Sequence, residues 1–180
     1  MFLEDELISE CICGNRKAQK ELYEKYSPYF FAICMRYMPT REDAEDVLVM
    51  GFTSIFSKLD TFKDEGSFEF WMKQIIINTA ISTLRMNNKY YKINRDSEDA
   101  EGNLISMSEN KTYSKMNVKY IMEQIRQLPD GYRTIFNLCA IEGYSYDEIA
   151  VKLGINKNTV GSQLIKARKL LQNKLKDFRI

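Results

Sequence analysis

The chain has 180 residues, 44% of them hydrophobic, and its 26 basic and 25 acidic side chains leave a net charge of +1. That apolar content supports a packed core and argues against wholesale disorder. There is no histidine, which excludes a Ser-His or Cys-His catalytic pair and any His-containing zinc site.

Helical periodicity governs the first half. A short helix is predicted from Leu3 to Cys13, ending at Gly14-Asn15, and a second from Arg16 to Tyr37, with Pro28 as a break or kink and Pro39 as the stop. Thr40 caps a third, running to Leu59, whose small or apolar face is Ala44, Val47, Leu48, Gly51, Phe52, Ile55, Phe56 and Leu59. Asp60 to Ser67 reads as a loop. Ser67 then caps a long helix to about Lys89, with Phe68, Trp71, Met72, Ile75, Ile76 and Thr79 as its buried stripe. A strand at "QIII" is the competing reading, on weaker grounds. Asn94 to Lys115 is polar, acidic and poor in large apolar residues, and reads as a linker. The predicted organisation is therefore all-α: a helical domain over 1–93, a flexible acidic linker over 94–115 and a second helical domain over 116–180.

Charge follows the same divisions. Met1 to Gly66 holds 8 basic and 13 acidic residues, a net −5; Ser67 to Arg95 holds 5 and 1, a net +4; Asp96 to Val118 holds 2 and 5, a net −3; and Ser145 to Ile180 holds 8 and 3, a net +5. Two basic segments separated by an acidic one predict two separate contacts with a polyanion. Cys11, Cys13, Cys34 and Cys139 are scattered and read as free thiols in a reducing compartment. No apolar run approaches the roughly 20 residues needed to span a bilayer. The acidic opening "MFLEDELISE" lacks the basic start of a secretory signal. A cytoplasmic protein without membrane insertion, metal or cofactor is the expectation.

The second domain opens with a helix near Val118 to Gln127, closed by Leu128-Pro129, and another from Asp130 to about Glu142, stopped by Gly143. Ser145 and Glu148 form a capping box for a short helix from Tyr146 to Leu153. Gly154 is suited to a left-handed turn, and Asn156 caps a last helix to about Lys176. Ala150 is small enough for two helices to cross closely, and Ile149, Leu153, Ile155, Val160 and Leu164 fill the wedge between them. This is the pattern of a helix-turn-helix. A helical hairpin with a solvated charged face is the plainer alternative. In the first reading Lys157, Asn158, Thr159, Ser162 and Gln163 face bases or phosphates of a major groove, and Lys166, Arg168 and Lys169 form a basic flank.

The stretch "LPDGYRTIFNLCAIEGYSYDEIAVKLGINKNTVGSQLIKARKLL", Leu128 to Leu171, resembles the C-terminal domain of bacterial RNA polymerase sigma factors of the extracytoplasmic-function type. "DAEDVLVMGFTSIFSKL" from Asp43 is similar to that family's polymerase-binding helix, and "GSFEFWMKQIIINTAISTLR" from Gly66 to its promoter-melting helix. The order and the spacing match as well, so the resemblance covers nearly the whole chain. It implies a protein with no enzymatic activity of its own, which binds core RNA polymerase and directs it to promoters. The C-terminal domain would read the upstream element as duplex and the N-terminal domain would engage the downstream element as it melts. An anti-sigma factor is a further partner common in the family.

Carried onto this chain, the resemblance implies a polymerase contact at Asp43, Glu45, Asp46, Val49, Met50 and Phe52. It implies melting and downstream contacts at Phe62, Phe68, Trp71, Lys73, Asn78, Arg85 and Lys89. The spacing of Phe68 and Trp71 with Ile75 also fits plain core packing. Asp96, Glu98, Asp99 and Glu101 of the linker could mimic nascent RNA or simply be a solvated tether. Val49 and Met50 stand where the family commonly has a polar pair, which implies either a more apolar polymerase contact or a drifted partner preference. Gly161 stands where Lys is common and Gln163 where Arg is common; Gly161 removes a phosphate contact and costs about 1 kcal/mol of helix propensity. The alternative function is a stand-alone helix-turn-helix regulator with a sensory or dimerising N-terminal half.

Overall fold

A computed structural model describes residues 4–63, 66–93 and 115–176. Eight α-helices and no strands occur among them: α1 (Glu4–Ile12), α2 (Arg16–Tyr37), α3 (Arg41–Phe56), α4 (Phe68–Ile93), α5 (Lys115–Arg126), α6 (Asp130–Phe136), α7 (Tyr146–Leu153) and α8 (Lys157–Leu175). They fall into two compact units, Met1–Arg85 and Met86–Ile180. The predicted linker, with Asp96, Glu98, Asp99 and Glu101, lies outside the described residues except for Lys115, which opens α5.

In the first unit α2 and α3 begin where a side chain can meet their free N–H groups. The Asn15 side chain accepts from Lys17 N at 3.0 Å, and Thr40 Oγ1 accepts from Asp43 N at 3.1 Å while donating to Asp43 Oδ2 at 2.6 Å. Pro28 does not break α2. It stands on the exposed side of the helix, so the carbonyl one turn back that it leaves unmatched is turned toward water. α3 ends at Phe56, three residues earlier than its periodicity suggests. A 3₁₀ turn, Leu59–Thr61, follows and keeps Leu59 buried.

The helices close over aromatic and aliphatic side chains including Phe30, Phe52, Ile55, Met72 and Ile76, all essentially inaccessible. α3 and α4 come close at Gly51. A Cβ built there would collide with Ile76 Cδ1, so a side chain at this position would have to displace that methyl group.

In the second unit α6 lies at the centre. Residues Arg133, Thr134 and Ile135 are all buried, as are Asn137 and Leu138 of the π turn Asn137–Ile141 that continues it. A helix buried on nearly every side must satisfy its polar groups internally. The Arg133 guanidinium, 2% exposed, donates to Arg126 O at 2.8 Å and Leu128 O at 3.1 Å, and to Asp130 Oδ1 at 2.7 Å. It thereby caps the end of α5 and holds the turn into α6. The single helix expected from Asp130 to Glu142 widens at Asn137, where Glu142 N donates to Asn137 O at 2.9 Å across five residues. Ile125, Leu128, Ala167 and Leu171 form a cluster joining α5 to α8, against which Tyr132 and Phe136 of α6 pack.

The close approach at Gly51 makes a specific demand. Gly51→Ala is expected to destabilise the chain by about 1–3 kcal/mol through overpacking, read in urea unfolding. Ile76→Val, which deletes the Cδ1 atom, should recover part of that loss in the double variant and cost stability in the wild-type background.

Candidate nucleic-acid and polymerase interfaces

The helix-turn-helix is built from local rules. Ser145 Oγ accepts from Glu148 N at 3.3 Å, and Glu148 Oε2 accepts from Ser145 Oγ at 2.7 Å and Ser145 N at 2.8 Å, a complete capping box. The side-chain and then the backbone hydrogen bond from Ser145 hold the Glu148 carboxyl below its ordinary pKa. That contribution to folding is present above the unfolded value and lost as pH falls through the lowered folded one. Gly154 adopts φ 65° and ψ 37°, the left-handed turn expected of it, and Ile155 N donates to Ala150 O at 3.1 Å. Asn156 Oδ1 accepts from Asn158 N at 2.8 Å and starts α8.

Two opposite stripes define α8. Val160, Leu164, Ala167 and Leu171 are buried, while Asn158, Ser162, Ile165 and Lys169 are exposed at the same spacing. Lys166 and Arg168 are exposed beside that outer stripe. Lys157 is exposed too, but its Nζ donates to Asp147 Oδ2 of α7 at 2.7 Å. Thr159 is half-buried, and its carbonyl accepts from Ser162 Oγ at 3.1 Å.

Gly161 and Gln163 flank the buried stripe on its two sides. The Tyr146 ring lies alongside Gly161, at 3.6 Å from where a Cβ would stand. Gln163 is half-buried and turned toward α6, its Oε1 3.2 Å from where a Cβ on Gly131 would be. The outermost surface of α8 therefore belongs to Asn158, Ser162, Ile165 and Lys169 rather than to Gln163.

On α3, Glu42, Glu45, Asp46, Val49, Met50 and Thr53 share the exposed face. Val49 is 58% and Met50 42% exposed. Glu45 pairs with Arg41 at 2.8 Å, and Asp43 is half-buried and occupied with the Thr40 cap. Phe52 departs from the expected contact set: it is 2% exposed, with ring centroids 4.6 Å from Tyr23 and 5.9 Å from Phe30. It faces the core because it stands four residues after Leu48 and eight after Ala44, both buried.

On α4, Trp71, Asn78 and Arg85 lie seven residues apart on one face. Asn78 and Arg85 are exposed and Trp71 is half-buried. Lys89 continues the same register, its side chain lying outside the described ones. Lys73 does not join them: it is half-buried on the side of Ile76, Ile77 and Ala80. Phe68 is buried and so also departs from the surface set, as core packing requires. Its ring centroid is 5.1 Å from Phe62 and 5.9 Å from Trp71, and Phe62 is 5.5 Å from Trp71. This trio fastens the loop after α3 to the start of α4. Beside it opens a cleft of about 380 Å³ lined by Asp5, Ile8, Tyr26, Phe62, Gly66, Ser67, Phe68 and Glu69. Phe70 is 59% exposed in the first turn of α4 and lies outside the set that the sequence suggests, because its spacing marks it off from the buried stripe of Phe68 and Met72.

Residues 22–90 match sigma-70 region 2, and residues 119–171 match sigma-70 region 4. The chain belongs to the sigma-70 family, as a sigma factor of the extracytoplasmic-function type. It is 28% identical to the ECF RNA polymerase sigma-E factor of Haemophilus influenzae over 178 residues, covering 94% of this chain and 93% of the relative. To the protein of the same name from Escherichia coli K12 it is 28% identical over 182 residues, covering 96% and 95%. Among solved structures it is similar in fold to the sigma factor RpoE of Bartonella quintana, solved with the anti-sigma factor NepR (TM-score 0.56, 22% identity, 89% of this chain and 98% of that one). It is likewise similar to CnrH, solved with the cytosolic domain of CnrY (TM-score 0.50, 20% identity, 96% and 97%).

As a sigma factor it directs transcription initiation. Among the described residues, no group of three or more Cys, Asp or Glu side chains is placed to hold a metal ion, and no helix is long and apolar enough to cross a membrane. The contact at Gly161 is an ordinary van der Waals one, so the sigma factor has room for a methyl group there. Gly161→Ala is expected to raise stability by about 0.5–1 kcal/mol through helix propensity alone, measured as an increase in the urea midpoint; a decrease would mean the Tyr146 ring cannot yield.

Proposed function

We propose that this sigma factor divides its work among three surfaces, with a polymerase-binding and melting domain over 1–93, a linker over 94–115 and an upstream-reading domain over 116–180. The exposed acidic-to-apolar face of α3, from Glu45 and Asp46 to Val49 and Met50, binds core RNA polymerase, while Phe52 supports it from beneath. The exposed Val-Met pair favours this reading, since adjacent large apolar side chains on a helix surface suit a protein interface.

The outward face of α4, with Trp71, Asn78, Arg85 and Lys89, meets promoter DNA as it opens. Unstacked bases are held by aromatic faces beside cationic groups. The cleft beside Phe62 and the exposed Phe70 suit that task. On α8, Asn158 and Ser162 meet the upstream duplex, with Lys157, Lys166 and Arg168 at the phosphates. The observation that carries the reading is the joint presence, in one chain and in order, of regions 2 and 4 with these outward faces.

The protein acts without chemistry of its own, in the cytoplasm, and an anti-sigma factor is a further partner. Its relatives in solved complexes with NepR and CnrY support that partner. Because α8 carries two neutral positions at Gly161 and Gln163, the isolated chain is expected to bind promoter duplex weakly. Polymerase anchoring then raises the local concentration of the reading helix.

Purified chain should be captured by core RNA polymerase at equimolar input, and should bind duplex DNA weakly alone. Failure of capture together with tight binding to a palindromic operator would instead identify a stand-alone regulator. In the holoenzyme, Lys166→Ala is expected to weaken binding on all promoters alike and to reduce the salt slope by about 1; a loss confined to one base position would contradict a phosphate role.

A further inference from the structure

The outer stripe of α8 contains one residue that neither charge nor hydrogen bonding explains. Ile165 is 67% exposed, with Ser162 one turn before it, Lys169 one turn after, and Lys166 and Arg168 beside it. A single exposed isoleucine is ordinary on a protein surface. Here it stands on the face that the burial of Val160, Leu164, Ala167 and Leu171 turns outward. It also occupies a helix interior, where a β-branched residue is less favourable than the Lys, Gln or Leu found around it. Ile165 belongs neither to the buried core nor to the packed cluster of the second unit.

We propose that Ile165 is a specificity-determining residue that reads the 5-methyl group of a thymine in the upstream promoter element. The inference rests on the sigma-factor reading and on α8 entering the major groove. The eight steps from Lys157 to Ile165 span about 12 Å of helix, comparable to the width of that groove. Ile165 is thus within reach of base edges while Arg168 and Lys169 reach the rim. From Lys157 to Leu175 the helix carries no acidic residue, so its charge suits a polyanion rather than an apolar protein surface. Among the groups that B-DNA presents in the major groove, the apolar one is the thymine methyl. A β-branched side chain in a helix is held in essentially one χ1 rotamer. Ile165 therefore presents its methyl groups with little entropy to lose on contact. Its neighbours Asn158 and Ser162 supply polar contacts to adjacent bases, which an aliphatic group cannot.

The test uses holoenzyme assembled from core RNA polymerase and the full chain. Its preferred duplex is selected from a random pool, and each thymine of the upstream element is then replaced singly by deoxyuridine, which differs only in lacking the methyl group. Wild-type holoenzyme should lose about fourfold in affinity at one thymine, the effect of one methyl group removed from a buried contact. Ile165→Ala should lose a similar factor on the thymine duplex and be indifferent to deoxyuridine at that position. Ile165→Val should keep part of the discrimination. Ile165 is exposed, so its variants should stay folded, with changes in stability no larger than helix propensity gives. A selected element without thymine, or an identical response of wild type and Ile165→Ala to every replacement, would overturn the proposal while leaving the sigma-factor reading intact. Failure to assemble a promoter-selecting holoenzyme would overturn both.

Discussion

The burial of one stripe on α8 decides what the second unit can present to DNA. Val160, Leu164, Ala167 and Leu171 are held against the neighbouring helices, and with them the rotation of the whole helix is fixed. At 3.6 residues per turn the opposite surface must then be Asn158, Ser162, Ile165 and Lys169. The Arg133 guanidinium supports this arrangement from the other side: it closes the turn between α5 and α6, which supply much of the packing. Loss of that charged group would leave buried carbonyls unmatched, an expensive defect in a unit with so small a core.

The same logic orders the first unit. Glycine at 51 lets α3 and α4 approach until Ile76 fills the gap. With Ala44, Val47, Phe52 and Ile55 facing inward, the acidic residues of α3 and the Val49-Met50 pair must face outward. On α4 the inward course of Met72, Ile76 and Ala80 leaves Trp71, Asn78 and Arg85 on the far face. In both units a small number of core side chains selects which residues face outward. A substitution that rotates a helix would therefore change the presented surface without touching an exposed residue.

Much of this was legible because it depends on residues close in sequence. The caps at Thr40, Ser145 and Asn156 and the left-handed turn at Gly154 follow from local rules, and each is present. Phe52 belongs by its own periodicity with Ala44 and Leu48 on the inner face, which a surface contact there overlooks. The outward position of Ile165 was also available, five residues after Val160. Other features depend on partners far apart in sequence. The bond from Lys157 to Asp147 joins neighbouring helices, and Gln163 rests by Gly131, 32 positions away. Residue spacing along one helix cannot reveal such neighbours. Nor does it reveal the widened turn at Asn137 or the burial of Arg133, because both depend on α6 being enclosed on nearly every side.

The central claim is that this chain confers promoter choice on a polymerase rather than binding DNA as an independent unit. Run-off transcription over a library of genomic fragments tests it most directly, with core RNA polymerase and the full chain added separately and together. Discrete transcripts are expected from a limited set of fragments sharing an upstream and a downstream element, and only when both proteins are present. Transcripts indifferent to the chain, or repression by the chain at fragments that a complete polymerase already transcribes, would contradict it.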